Sequence, residues 1–297
     1  MYLQHFQMTE KPFSLTPDTQ FFLNYHSHRE ALTTLNFALR DGEGFIKIVG
    51  EVGTGKTLLC RILLTRLHKT RFVTAYIPNP CISPEELKAF IAAEIGADYQ
   101  RTMPAHELTA AIYRRLLQIA RQRKQVVLVV DEAQTMPRET IEALRLLTNL
   151  ETEKRKLLHV VIFGQPELDE LLRREDLRQL KQRIVFAETL RPLDSAGVSA
   201  YLRHRLISSG CPQQSLFSPV AIWLLAKASG GIPRLINILA HKALLSAYGR
   251  GDGTIAGWHV AKAVRDTPEC SARGRFWCRL WGLKGRTFVT SAVGATR

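Results

Sequence analysis

Phe45-Ile46-Lys47-Ile48-Val49-Gly50-Glu51-Val52-Gly53-Thr54-Gly55-Lys56-Thr57-Leu58 is the stretch whose reading decides the fold. Phe45–Val49 is a short apolar run that stops at a glycine, the pattern of a buried strand. From Thr57 to Lys69 leucines recur at helical spacing, so a helix follows at once. Between them, Gly50–Thr57 fits the spacing GxxxxGK[ST] in the strand–loop–helix setting that the motif needs. Gly53 and Gly55 permit positive φ and a close approach of backbone to phosphate oxygens. The loop N–H groups and the helix N-terminus supply positive potential. The expected binding loop is Gly50, Glu51, Val52, Gly53, Thr54, Gly55, Lys56, Thr57 and Leu58, with Lys56 on the β- and γ-phosphates of ATP and Thr57 on Mg2+.

Outward from this loop, helical and strand patterns alternate from about residue 30 to 190, which predicts an α/β domain with a largely parallel sheet. Phe72–Ile77 reads as the second strand, and Ser83-Pro84-Glu85-Glu86 as an N-cap, a first-turn proline and early acids opening a helix. His106–Arg123 reads as a long amphipathic helix, Leu157–Phe163 as a strand ending at Gly164, and Ile184–Glu188 as the last strand. Val126–Val130 is five β-favouring residues in a row, a strand covered on both faces. Asp131 and Glu132 follow it directly, placing one carboxylate to hold Mg2+ through water and a second to polarise an attacking water.

Four further residues are candidates for the same site. Gln165 follows the strand expected to lie beside the loop's own strand. Arg234, in Gly230-Gly231-Ile232-Pro233-Arg234, opens a helix and could carry the γ-phosphate signal to a lid. Arg183, in Leu180-Lys181-Gln182-Arg183-Ile184, is the candidate arginine finger for a neighbouring subunit, with Arg173, Arg174 and Arg178 as competitors. Asn79 could hold Glu132 inactive until a partner arrives. The histidines show no metal spacing.

From Asp194 onward the strand signal stops, and helices are expected at about 194–209, 218–229, 233–248 and 256–265. The expected organisation is therefore an N-terminal segment (1–29), an α/β nucleotide-binding domain (30–190), a helical lid (191–267) and a basic, aromatic-containing tail (268–297) that is flexible or docks on an anionic membrane or a partner. The chain of 297 residues carries a net charge of +14, which favours polyanionic partners without choosing among nucleic acid, lipid headgroups and acidic proteins. Five cysteines without CxxC spacing argue against a disulfide framework or a zinc site. The first residues lack a signal-peptide pattern and no apolar run is long enough to cross a bilayer, so a cytoplasmic protein without its own transmembrane segment is expected.

These motifs together resemble the AAA+ ATPases of the ExeA / general secretion pathway protein A family, including its short members in MSHA-type pilus biogenesis. The resemblance covers roughly residues 2–267. It rests on Lys11-Pro12-Phe13-Ser14-Leu15-Thr16-Pro17-Asp18, Gly50–Thr57, Val130-Asp131-Glu132-Ala133-Gln134 and Leu144–Glu151. Phe163–Leu168, Leu180–Ile184 and Gly231–Leu235 complete the set. It implies an ASCE-type P-loop sheet with a helical lid, an ATP-dependent homo-oligomer, and work on inner-membrane pilus or secretion assembly proteins. On the same resemblance Pro12-Phe13 packs near the adenine, Gln165 is a first sensor, Arg234 a second and Arg183 the finger. Longer members continue into a membrane span and a peptidoglycan-binding domain, for which this sequence shows no pattern. The rival expectation is an ATP-dependent DNA-binding protein similar to the accessory ATPases of transposition, tested by a steep salt dependence.

Overall fold

A computed structural model describes residues 2–67, 71–100, 103–153, 155–272 and 275–278. Its residues cluster into two compact units: His26–Val52 with Lys56–Arg191, and Met1–Tyr25 with Gly53–Gly55 and Pro192 onward.

The first unit is built on five parallel strands: β1 (Phe45–Gly50), β2 (Phe72–Ile77), β3 (Gln125–Val130), β4 (Leu158–Gly164) and β5 (Phe186–Leu190). Their order is β2-β3-β4-β1-β5. The pairing Phe45↔Val160 through Val49↔Gly164 sets β4 beside β1, as the loop reading requires. All of Val126–Val130 is buried, because helices cover both faces of a parallel sheet. The order brings the carboxyl ends of β1, β4 and β3 together, and that edge is where open α/β sheets bind ligands. A short antiparallel ladder pairs Glu151–Thr152 with Arg155–Lys156.

The helices of this unit follow their local signals. Ahead of the sheet runs α2 (His26–Asp41), preceded in the chain by the short α1 (Tyr2–His5); α3 (Lys56–Arg66) leaves the loop, and α4 (Pro84–Ile95) and α5 (Ala105–Arg121) come next. At the start of α4, Ser83 Oγ accepts from Glu86 N–H and the Glu86 carboxylate accepts from Ser83 N–H, the reciprocal cap that the sequence announces. Then come α6 (Arg138–Leu147), α7 (Glu167–Leu172) and α8 (Arg178–Lys181).

The second unit packs α9 (Ser195–Ser208), α10 (Pro219–Ser229), α11 (Pro233–Tyr248) and α12 (Gly257–Arg265) around an aliphatic core. The N-terminal segment is part of this core. Phe13, expected near the adenine, is 3% exposed and stacks edge-on against Phe217 at 5.8 Å. Buried Arg205 on α9 holds the same strap: its guanidinium donates to the carbonyls of Pro12 and Ser14 and lies 4.4 Å from the Phe21 ring centroid. Of the stretch expected to be a tail, Cys270 and Cys278 are buried in this core and Trp277 packs edge-on against Trp223 at 5.3 Å. Residues 273–274 and 279–297 of that stretch lie outside the described residues. Among the described residues no helix is long and apolar enough to cross a membrane.

A titratable group inside the sheet gives the first unit an acid sensitivity. His159 on β4 is 1% exposed, and its Nδ1 lies 2.7 Å from the Glu43 carbonyl oxygen. Burial pushes its pKa below the ordinary 6.5, with the Glu43 carbonyl opposing. The unfolded chain then binds the extra proton first, so the stability present above 6.5 is lost as pH falls from that value towards the lower folded one. Each pH unit in that window costs at most about 1.4 kcal/mol. Urea titrations followed by circular dichroism should show a falling midpoint below neutrality, with the slope reduced in His159→Gln; equal slopes in the two proteins would refute the assignment.

Candidate nucleotide-binding site

The loop between β1 and α3 has the backbone its glycines were expected to permit: φ is +80° at Gly53 and +100° at Gly55. Thr54 is fully buried, Val52 is exposed, and Leu58 is half-buried on the first turn of α3. Lys56 is 5% exposed, and its Nζ donates to the carbonyls of Gly50 (2.8 Å) and Glu51 (3.0 Å). An ammonium has three donors, so one remains for a phosphate oxygen. Burial lowers the Lys56 pKa, opposed by the carboxylates of Glu132, Asp131, Glu51 and Glu167. The sheet edge thus holds a cation at the loop and acids opposite it.

Asp131, at the tip of β3, is 2% exposed. Burial raises its pKa, while donation from the Thr57 hydroxyl and the Glu132 N–H lowers it; the latter bond measures 2.9 Å. Thr57 and Asp131 therefore form a pair of hard oxygen donors beside the loop. Two such oxygen donors suit a divalent cation such as Mg2+.

Glu132 has left-handed backbone, φ +50° and ψ +38°, uncommon for a non-glycine residue and often a mark of function. Its Oε2 accepts from two amides, Gln165 Nε2 at 2.9 Å and Gln134 Nε2 at 2.5 Å. The expected contact from Asn79 is not formed: Asn79 is exposed, and its Oδ1 accepts from Cys81 N–H at 3.2 Å, an Asx-type turn. Spacing alone does not mark Gln134, because Asp131 and Glu132 account for the chemistry of the motif that contains it. In the structure it sits on a short 3-10 turn, Ala133–Thr135, between buried Ala133 and buried Met136.

Arg183 is tied to its own chain. Its Nη1 donates to Thr148 Oγ1 (2.9 Å) and Arg145 O (3.4 Å), a cation at the C-terminal end of α6 where the helix dipole favours it. Its competitors Arg173, Arg174 and Arg178 are exposed, and Arg174 pairs with Asp176 at 3.5 Å. Arg234 is exposed on the first turn of α11. In the unit that includes Gly53–Gly55, its N–H donates to Gly53 O at 3.2 Å, and a Cβ added at Gly53 would lie 2.6 Å from the Arg234 Cβ.

Residues 39–172 match the family model described as AAA domain. General secretion pathway protein A of Aeromonas hydrophila is 44% identical over 264 residues, which cover 89% of this chain and 48% of that protein; the chain spans about half its length. Among solved structures, the Aeropyrum pernix ORC2 protein in ADPNP–ADP complexes superposes with a TM-score of 0.62 at 18% identity, covering 88% of this chain and 74% of that one. Cdc6p from Pyrobaculum aerophilum gives 0.62 at 18% over 86% and 70%. The Thermotoga maritima RuvB Holliday junction branch migration motor gives 0.53 at 15% over 80% and 68%. These likenesses show an AAA-type P-loop NTPase fold, a parallel sheet with flanking helices followed by a helical part.

Proposed function

From its AAA-type P-loop fold and its likeness to general secretion pathway protein A, we propose that this chain is an ATPase of that type, one that hydrolyses ATP to assemble or remodel a secretion or MSHA-like pilus apparatus at the inner membrane. One observation carries the enzymatic part: buried Asp131 and half-buried Glu132 at the tip of β3 stand in the same electrostatic neighbourhood as Lys56 on the phosphate loop.

In this reading Gly50–Leu58 wraps the triphosphate, and Lys56 turns its remaining donor to the β- and γ-phosphates. Thr57 and Asp131 are the residues that would hold Mg2+, whose chemistry when bound is to neutralise phosphate charge. Glu132 orients and polarises the attacking water, and Gln165 senses the γ-phosphate. Arg234 adds a second cation to the γ-phosphate, and Arg183, once released from the end of α6, serves a neighbouring subunit. ATP then favours a homo-oligomer, and hydrolysis releases it. The protein acts in the cytoplasm, and inner-membrane assembly proteins are its partners.

Retention of labelled ATP with magnesium tests the reading. The wild-type chain should bind and turn over ATP, and its mass by size exclusion with light scattering should rise when Mg·ATP is present. Lys56→Ala should lose both. A wild-type chain that takes up no nucleotide would overturn the proposal. The charge of +14 favours a second reading, an ATP-dependent DNA-binding protein; affinity for duplex DNA that rises with ATP and falls steeply with salt would select it.

A further inference from the structure

We infer that Gln134 is a positioning residue for the hydrolytic step, setting the Glu132 carboxylate and locking the tips of β3 and β4 together. The inference rests on the proposed ATP hydrolysis and adds a residue to it. Three observations carry it. The Gln134 side chain uses both ends: Nε2 donates to Glu132 Oε2 at 2.5 Å, and Oε1 accepts from the Gln165 backbone N–H at 3.0 Å. One amide thus bridges the candidate water-activating acid to the strand end that bears the candidate sensor. Second, Gln165 Nε2 donates to the same Oε2 (2.9 Å), so both amides hold one carboxylate oxygen and leave Oε1 for the attacking water. Third, the bridge occupies space that a glycine keeps open. A Cβ added at Gly164 would stand 3.3 Å from Gln134 Oε1 and 2.5 Å from Leu168 Cδ2.

A carboxylate on a left-handed backbone has no helix or strand to aim it, and this amide bridge supplies the aim. Misplacing a reacting group by about 1 Å costs rate rather than binding, on the order of 100-fold. Gln134→Met keeps the volume and removes both hydrogen bonds. Gln134→Glu keeps an acceptor for Gln165 N–H but sets a carboxylate against Glu132.

The test is steady-state ATPase kinetics on the full chain, alongside ATP binding and thermal melting. Wild-type turnover establishes the underlying reading; its absence sinks that reading and this inference with it. Given wild-type turnover, Gln134→Met should lower kcat by about 10- to 100-fold with KM for ATP within about threefold and melting unchanged. Gln134→Glu should be slower still. A kcat for Gln134→Met within threefold of wild type overturns the inference while the ATPase stands. If Gln134→Met melts early, Gln134→Glu decides: turnover equal to or faster than wild type overturns the positioning role.

Discussion

Glu132→Gln is expected to cut ATP turnover by about 10²- to 10⁴-fold, the usual worth of a positioned general base, while ATP affinity stays within a few-fold. The geometry makes this substitution clean. Both partners of Glu132 Oε2 are amide donors, from Gln134 and Gln165, and a glutamine carbonyl oxygen accepts the same two bonds. The side chain keeps its place and only the charge is lost. With binding intact and hydrolysis stopped, the ATP-dependent oligomer should persist, so the variant retains whatever partner the cycle normally releases. A second consequence concerns Lys56. Burial already holds its pKa below the ordinary value, and the Glu132 carboxylate is the largest opposing influence. Without that charge the pKa moves further down, so ATP affinity should fall away at a lower pH on the alkaline side than in the wild type. Single-turnover and equilibrium binding measurements across pH 7 to 10 check both. Turnover within tenfold of wild type would remove Glu132 from the proposed role.

The sheet and the loop were legible because their signals are local. Val126–Val130 needs only its own five side chains to declare a two-sided burial, and GxxxxGK[ST] sets its own backbone. The start of α4 was legible because Ser83 and the acids after it announce a cap. What spacing does not show is the choice between partners that the fold brings together. Nothing near Asn79 says that its side chain turns back to Cys81 N–H and leaves Glu132 to Gln134 and Gln165, the latter 33 positions along the chain from Glu132. The sequence offers Arg183 as a finger candidate, and only the folded end of α6 shows the two oxygens it meets within its own chain. The resemblance puts the Pro12-Phe13 segment near the adenine, and only the folded chain shows Phe217 stacked against Phe13. In each case the partner is set by the fold and not by local spacing.

Gly230 and Gly231, in the turn between α10 and α11, should differ sharply when each is changed to alanine. Both have positive φ, +59° and +79°. An alanine in that region costs about 1–2 kcal/mol from its own backbone alone. At Gly230, the C-cap of α10, nothing lies within 4 Å of an added Cβ, so that cost is the whole effect. At Gly231 the added Cβ would sit 1.9 Å from the Leu193 carbonyl oxygen and 2.9 Å from the carbonyl carbon. These are backbone atoms with no rotamer to change, and Leu193 N–H is bonded to Gly231 O at 2.9 Å, so relief requires breaking that link. We expect Gly231→Ala to destabilise the helical unit by about 3–5 kcal/mol, a large share of the stability of an ordinary domain. The probe is built in, since all four tryptophans, Trp223, Trp258, Trp277 and Trp281, follow Pro192. Fluorescence of Trp223, Trp258 and Trp277 in urea therefore reports on that unit. With a urea dependence of about 1–3 kcal/mol per molar, the Gly231→Ala midpoint should fall by about 1–3 M and that of Gly230→Ala by less than about 1 M. Coincident midpoints for the two variants would show that the Leu193 carbonyl does not confine position 231.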